Sequence, residues 1–316
     1  MALHRSKGLA ERLWVSVIDS ARWRGFVQRS PATRVFRSRR YRNAVRARRF
    51  ALTRRASRRD PDRFRDVRTF FMMIGHTKSG GTMVGAMLDA HPNVVVADEI
   101  GSARFVEEGF GRDQIFQLLL KSSRREAMKG RVTGRRLGGY SFSVPGQWQG
   151  RHADLTAIGE SKAGPSTREL GADAELLESV LRVMNEVDVK FIQIVRNPFD
   201  PISAMMLRSG RLVDDAVDDY FRQCERLEGL RSRIAASDLL VVRYESVVRN
   251  PEDEVARICR YLGVKAEPEY LGACAAVLDS RWRAHRRDIN WAPSQIDEVE
   301  RRIAGFSFLH GYGYNS

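Results

Sequence analysis

A chain of 316 residues is long enough to bury a sizeable core, as one large α/β domain or two smaller ones. Its three cysteines, Cys224, Cys259 and Cys274, are odd in number and show no C-x-x-C spacing, so neither a disulfide framework nor a zinc site is indicated and a reducing compartment is expected. The net charge of +15 is local: residues 1–68 hold 21 Lys and Arg against 5 Asp and Glu, which leaves 33 against 34 for the remainder, so it says nothing about what the body binds.

The chain therefore opens with a basic arm, 1–68. In LWVSVIDSARWRGFV, residues 13–27, Trp14, Val17, Ile18, Ala21 and Trp23 fall near one face of a helix, and an arginine-rich stretch follows. That order fits an amphipathic interfacial helix beside an anionic membrane surface, where each basic residue contributes roughly 1 kcal/mol. A solvated basic extension is the plainer reading. Nucleic acid is disfavoured as a partner, because no reading module accompanies the charge. No run approaches the length of a membrane span, and Arg22 and Arg24 break the only early apolar run, so neither a span nor a secretory leader is expected. The expected location is cytoplasmic, with peripheral attachment to a membrane as the role open to the arm.

From residue 69 the pattern changes to short apolar runs: TFFMMIG (69–75), VVVAD (94–98), LTAIGE (155–160), KFIQIV (190–195) and LLVVRY (239–244). Each is apolar on both faces, as buried parallel strands are. Helical stretches lie between or beyond them at 82–90, 114–128, 173–187, 199–208, 214–235 and 252–262, and a last helix at 294–304. Alternation of this kind predicts a three-layer α/β fold around a parallel sheet of about five strands, spanning 69–316. The glycine-rich segment 130–151 lacks a helical period and reads as a surface loop, either a substrate lid or an irregular connection.

The first strand runs into GHTKSGGT. Gly75, Gly80 and Thr82 fall where a Walker A loop wants them, but Gly81 stands in the lysine slot and the nearby lysine is Lys78. A glycine turn between strand and helix points backbone N–H groups and a helix N-terminus at an anion. The fourth run ends in Arg196-Asn197-Pro198, where a nucleotide hydrolase would place a metal-binding carboxylate, and Asp98 is a poor positional match for that role. An arginine there recognises a second anion.

These residues resemble the sulfotransferases that use 3′-phosphoadenosine 5′-phosphosulfate (PAPS). TKSGGT, 77–82, is similar to the family's P-K-S-G-T-T loop, and VRNPFDPIS, 195–203, to its strand with R-[ND]-P and a later serine. AMLDAHPNVVVADE, 86–99, looks like the tyrosylprotein sulfotransferases and their bacterial relatives, and VVRYESVVRNPEDEVARICRYLGV, 241–264, like the family's downstream strand and helix. The resemblance implies a P-loop-like fold and PAPS as co-substrate with no metal required. It also implies a cofactor set of Lys78, Ser79, Gly80, Gly81, Thr82, Arg196 and Ser203. Sulfuryl transfer needs no metal clamp across a β,γ phosphate pair, so one lysine placed forward in the loop suffices. Thr77 replaces the usual proline, Gly81 a hydroxyl residue, and Ser203 follows Arg196 by seven residues instead of eight.

For catalysis the resemblance implies Glu99 as the base that takes the acceptor's proton, with Lys78 and Lys162 near the leaving phosphate. Asp98, His76 and His91 are the other candidates for the base; His91 fits a capping role better. Residues 280–291, basic and aromatic, resemble the segment that closes over the nucleotide, with Arg286 or Arg287 near the 3′-phosphate. The expected acceptor is a hydroxyl, with an amine second, on a small molecule, lipid or carbohydrate. Rival readings are a P-loop nucleotide kinase or hydrolase, and a non-catalytic nucleotide-binding or membrane-docking protein.

Overall fold

The computed structural model describes residues 39–98, 100–133, 140–278 and 284–316. The chain divides into two compact units, 1–59 and Asp60–Ser316. In the first, the arginine-rich stretch is a helix, Arg39–Arg59, with ten arginines and no acidic residue. Alanine, leucine and arginine are strong helix formers, so local propensity supports it. Its arginines recur all round the helical period, so this is no apolar stripe; the amphipathic segment 13–27 lies outside the described residues.

Among the described residues, the second unit contains seven strands: β1 (Thr69–Gly75), β2 (Val94–Ala97), β3 (Val132–Thr133), β4 (Tyr140–Ser141), β5 (Ala157–Glu160), β6 (Asp188–Val195) and β7 (Leu239–Arg243). Five of them make an all-parallel sheet in the order β2-β5-β1-β6-β7, and β3 pairs with β4 in a small antiparallel ribbon. Every residue of β1, β2 and β5 is buried, which is why these segments read as unbroken apolar runs. Gly75 stands in register with Ile194, so the chain leaves β1 and β6 side by side at one edge of the sheet. In parallel α/β sheets, ligands bind outside that carboxyl edge, where the strand order changes direction.

Residues 60–68 belong with the second unit. Phe64 and Val67 are buried, the Phe64 ring meets Phe116 edge-on at 5.4 Å, and the Arg68 N–H donates to the Thr156 carbonyl. The sequence boundary at 68/69 followed charge, whereas the two apolar residues inside the charged stretch find partners in the core. Four helices go beyond the sequence expectation: Ser102–Glu107, Ala163–Ala172, Tyr244–Arg249 and Pro268–Val277.

The segment 130–151 is anchored by one carboxylate. Asp89, fully buried, accepts the Val96 N–H and the Ser123 hydroxyl at 2.7 Å each and the Gly150 N–H at 2.9 Å, and it pairs with the Arg131 guanidinium. Burial pushes this carboxyl up from its ordinary range, and Arg131 opposes that push. Gln149 joins it, donating to the Ala86 and Phe142 carbonyls.

Candidate active site

The glycine loop is built by close approach. Lys78 and Gly80 both take left-handed backbone angles, φ 74° and 102°, the first of which is unusual for a side-chain-bearing residue. A Cβ on Gly80 would lie 2.2 Å from the Tyr244 ring, and one on Gly81 would lie 2.9 Å from the Ser161 carbonyl oxygen. That second distance explains why neither a Walker lysine nor a hydroxyl residue stands at position 81: the end of β5 passes too near. The helix Gly81–Leu88 starts directly afterwards, so its first N–H groups face out of the loop. Ser79 is buried, whereas Lys78 and Thr82 reach solvent.

Two side chains brace the loop from behind. The Gly75 N–H donates to Thr167 Oγ1 at 2.7 Å, and Gln223 Nε2 donates to the Gly75 carbonyl at 3.1 Å. His76 is stacked on Tyr220 with ring centroids 3.9 Å apart, and its Nε2 lies 3.1 Å from the Tyr220 carbonyl oxygen. Burial holds its pKa down at about 4, so the ring is neutral near pH 7. His91 is engaged at both nitrogens: Nδ1 accepts the Asn93 N–H at 3.0 Å and Nε2 donates to the Lys265 carbonyl at 2.9 Å. Both histidines thus pack and brace.

Arg196 meets the loop. Its Nη1 donates to the Lys78 carbonyl at 3.1 Å, and its guanidinium lies over the Tyr244 ring at 4.5 Å. The Lys78 ammonium is pulled below the usual lysine range by partial burial first and by the charge of Arg208 second. The two cationic elements read from the sequence therefore lie side by side, with Tyr244 against both the glycine turn and the arginine. Asn197, beside Arg196, takes Glu245 Oε1 on its N–H at 2.8 Å and donates from Nδ2 to the Gly313 carbonyl at 2.8 Å.

Ser203 sits differently from the contact the resemblance implied. It is fully buried, and its hydroxyl accepts Trp291 Nε1 at 3.2 Å, so an anion reaches it only if the indole moves. Arg286 is buried and Arg287 exposed in the short 3-10 helix His285–Asp288, and residues 279–283 lie outside the described residues.

The end of β5 supplies the third wall. Lys162, half-buried, immediately precedes the helix Ala163–Ala172, one residue from the Ser161 carbonyl that borders Gly81. Ser161 Oγ lies within 3.2 Å of Asp98 Oδ1. Glu160, fully buried, accepts the N–H groups of Gly101 at 3.0 Å and Ser102 at 3.0 Å. Burial, with a smaller push from Glu169, raises its pKa to about 7. Glu99, the expected base, lies outside the described residues, while Asp98 before it and Gly101 after it are both tied to β5. Among the described residues, no three His, Cys, Asp or Glu side chains gather as a metal site.

Tyr244, Asp200, Glu160 and Arg208 were missed as contributors. An aromatic residue at the tip of the last apolar run was the available signal for Tyr244. Nothing local distinguishes the other three from surface charges.

The model of the sulfotransferase family matches residues 177–268, from the helix before β6 through Arg196 and β7 to the start of the helix at Pro268. Over this segment, less than a third of the chain, the sequence is similar to the sulfotransferase family. The glycine loop lies outside the matched span. Among solved structures, the sulfotransferase domain from the Synechococcus PCC 7002 olefin synthase is 20% identical, with 74% of this chain and 88% of that chain covered at a TM-score of 0.44. Sulfotransferase STF1 from Mycobacterium tuberculosis H37Rv is 14% identical, covering 81% and 82% at 0.43. Mouse sulfotransferase SULT7A1, complexed with PAP, is 12% identical, covering 75% and 84% at 0.42. Compared with curated protein sequences, the chain has no match.

Proposed function

We propose that the protein moves a sulfuryl group from PAPS to a hydroxyl on a small-molecule, lipid or carbohydrate acceptor, with an amine as the less favoured acceptor. The observation that carries this reading is the contact between Arg196 and the Lys78 carbonyl, which brings the glycine loop and the R-N-P turn together as the two ends of one nucleotide would need. A loop whose lysine is already destabilised by burial and by Arg208 is relieved by an anion, and the helix that starts at Gly81 offers its first backbone N–H groups to a phosphate. In this reading Lys78, Ser79, Gly80, Gly81 and Thr82 hold the 5′-phosphosulfate end, Arg196 holds the 3′-phosphate, and Ser203 joins it once Trp291 yields.

The acceptor oxygen attacks sulfur in line, Glu99 takes its proton, and the sulfur–oxygen bond to the 5′-phosphate breaks. Lys78 and Lys162 offset the charge that develops on the departing oxygen. Titration calorimetry with 3′-phosphoadenosine 5′-phosphate (PAP), and with ATP plus Mg²⁺ against an EDTA control, tests the class. PAP is expected to bind regardless of metal; metal-dependent ATP binding with no response to PAP discards the proposal in favour of a kinase or hydrolase. In the same experiment Glu99→Gln is expected to keep PAP affinity while losing about 100-fold or more in transfer of labelled sulfuryl groups from PAPS. A variant as active as the parent removes Glu99 from its role.

The helix Arg39–Arg59 supports a second, separate element: attachment to an anionic membrane by charge, since its arginines are unopposed by any acid within it. Deleting residues 1–59 is expected to abolish pelleting with phosphatidylserine vesicles at low salt and leave PAP affinity unchanged. Unchanged pelleting refutes it.

A further inference from the structure

The second cationic element carries its own negative charge. Asp200, in the first turn of the helix Phe199–Ser209, is fully buried. Its Oδ1 accepts the Arg286 backbone N–H at 3.0 Å, and its Oδ2 takes Arg286 Nη1 at 3.2 Å and lies 3.5 Å from Arg196 Nε. Arg196 and Arg286 are themselves only 7% and 5% exposed. Two guanidiniums withdrawn from water are costly without a compensating anion, and this carboxylate compensates both. Residues Phe199–Ser209 and His285–Asp288, 86 positions apart at this contact, are thereby joined beside the glycine loop.

We infer that Asp200 is a resident counter-anion of the phosphate site: it orients Arg196 and Arg286, and by opposing a nearby phosphate it lowers the site's affinity for the 3′-phosphate of the nucleotide. This rests on the reading of Arg196 as the 3′-phosphate ligand. The physical basis is a three-body balance. Without nucleotide, the aspartate cancels charge that would otherwise stand uncompensated in a dry pocket. With nucleotide, the same carboxylate repels the incoming dianion, and little water intervenes to screen it. The residue therefore favours a folded, ordered site and, at the same time, prompt release of the spent nucleotide.

Calorimetric titration with PAP, and with adenosine 5′-phosphosulfate as a ligand lacking the 3′-phosphate, tests this at fixed ionic strength. Asp200→Asn is expected to bind PAP about tenfold tighter than the parent, with the second ligand unchanged. A folded variant with equal or weaker PAP affinity, in a protein that still prefers PAP, overturns the inference alone. A parent that binds both ligands equally removes the Arg196 reading and the inference with it. Should Asp200→Asn fail to fold, Arg286→Gln and Arg286→Gln/Asp200→Asn form a pair in which the second loses one charge of each sign. The double variant is expected to bind PAP about tenfold tighter than the single, and equal affinity overturns the inference.

Discussion

Replacing Gly80 by alanine is expected to lower the unfolding free energy by about 3 kcal/mol and to abolish measurable PAP binding. Two effects add. The residue sits at φ 102°, where a Cβ costs roughly 1–2 kcal/mol, and the added methyl group would be driven into the Tyr244 ring, an overpacking cost of about 1–3 kcal/mol. The ring has no easy retreat, because it also lies against the Arg196 guanidinium. Chemical denaturation of the four proteins in a double-mutant cycle separates the terms: in a Tyr244→Ala background, the cost of Gly80→Ala should fall to the backbone part alone, about 1–2 kcal/mol. An unchanged cost in that background would show that the ring does not confine the loop. Loss of binding without loss of stability would instead mean that the methyl group blocks the ligand and not the fold.

Glu160→Gln should expose a pH dependence that the parent hides. Glu160 has its pKa raised from 4.5 to about 7, so its contribution to stability is fully present below 4.5 and is lost as pH rises through about 7. His76 has its pKa lowered from 6.5 to about 4, so its contribution is present above 6.5 and is lost as pH falls through about 4. Each shift corresponds to about 3 kcal/mol, and between pH 4.5 and 6.5 the two slopes have opposite sign and offset one another. Removing the carboxyl leaves the histidine slope uncompensated. Relative to the parent, Glu160→Gln is therefore expected to lose about 3 kcal/mol as pH falls from 6.5 to 4.5, a difference from which the other titrating groups drop out. Urea unfolding at several pH values across this window checks it; parallel curves for the two proteins would mean that Glu160 does not titrate there.

The parallel sheet was legible because its strands are buried on both faces: TFFMMIG and VVVA leave no polar alternation to confuse with a solvated strand. The glycine loop and Arg196 were legible for a different reason, since short motifs fix backbone conformation locally. What escaped were features that exist only after folding. AGPSTRELGA looks like a turn because of its glycines and proline, yet proline fits the first turn of a helix, and Ala163–Ala172 is one. Glu160 reads as an exposed acid at a strand end until β1 and β2 close on either side of it, opposite Met72 and Ala97. Asp200 and Arg286 are distant in the chain, and no local pattern joins them. Ser203 illustrates the converse: its place in the motif matched approximately, but folding buries it against Trp291.

Asp89 has a consequence for how this chain can diversify. Arg131 and Gly150 both terminate on its Oδ2, so the chain between them departs from and returns to a single atom. The span is closed at its base whatever its contour, and doubling its length would cost only about 0.6 kcal/mol in closure entropy. Insertions and rewrites between residues 131 and 150 are therefore expected to leave β1 and the glycine loop unstrained.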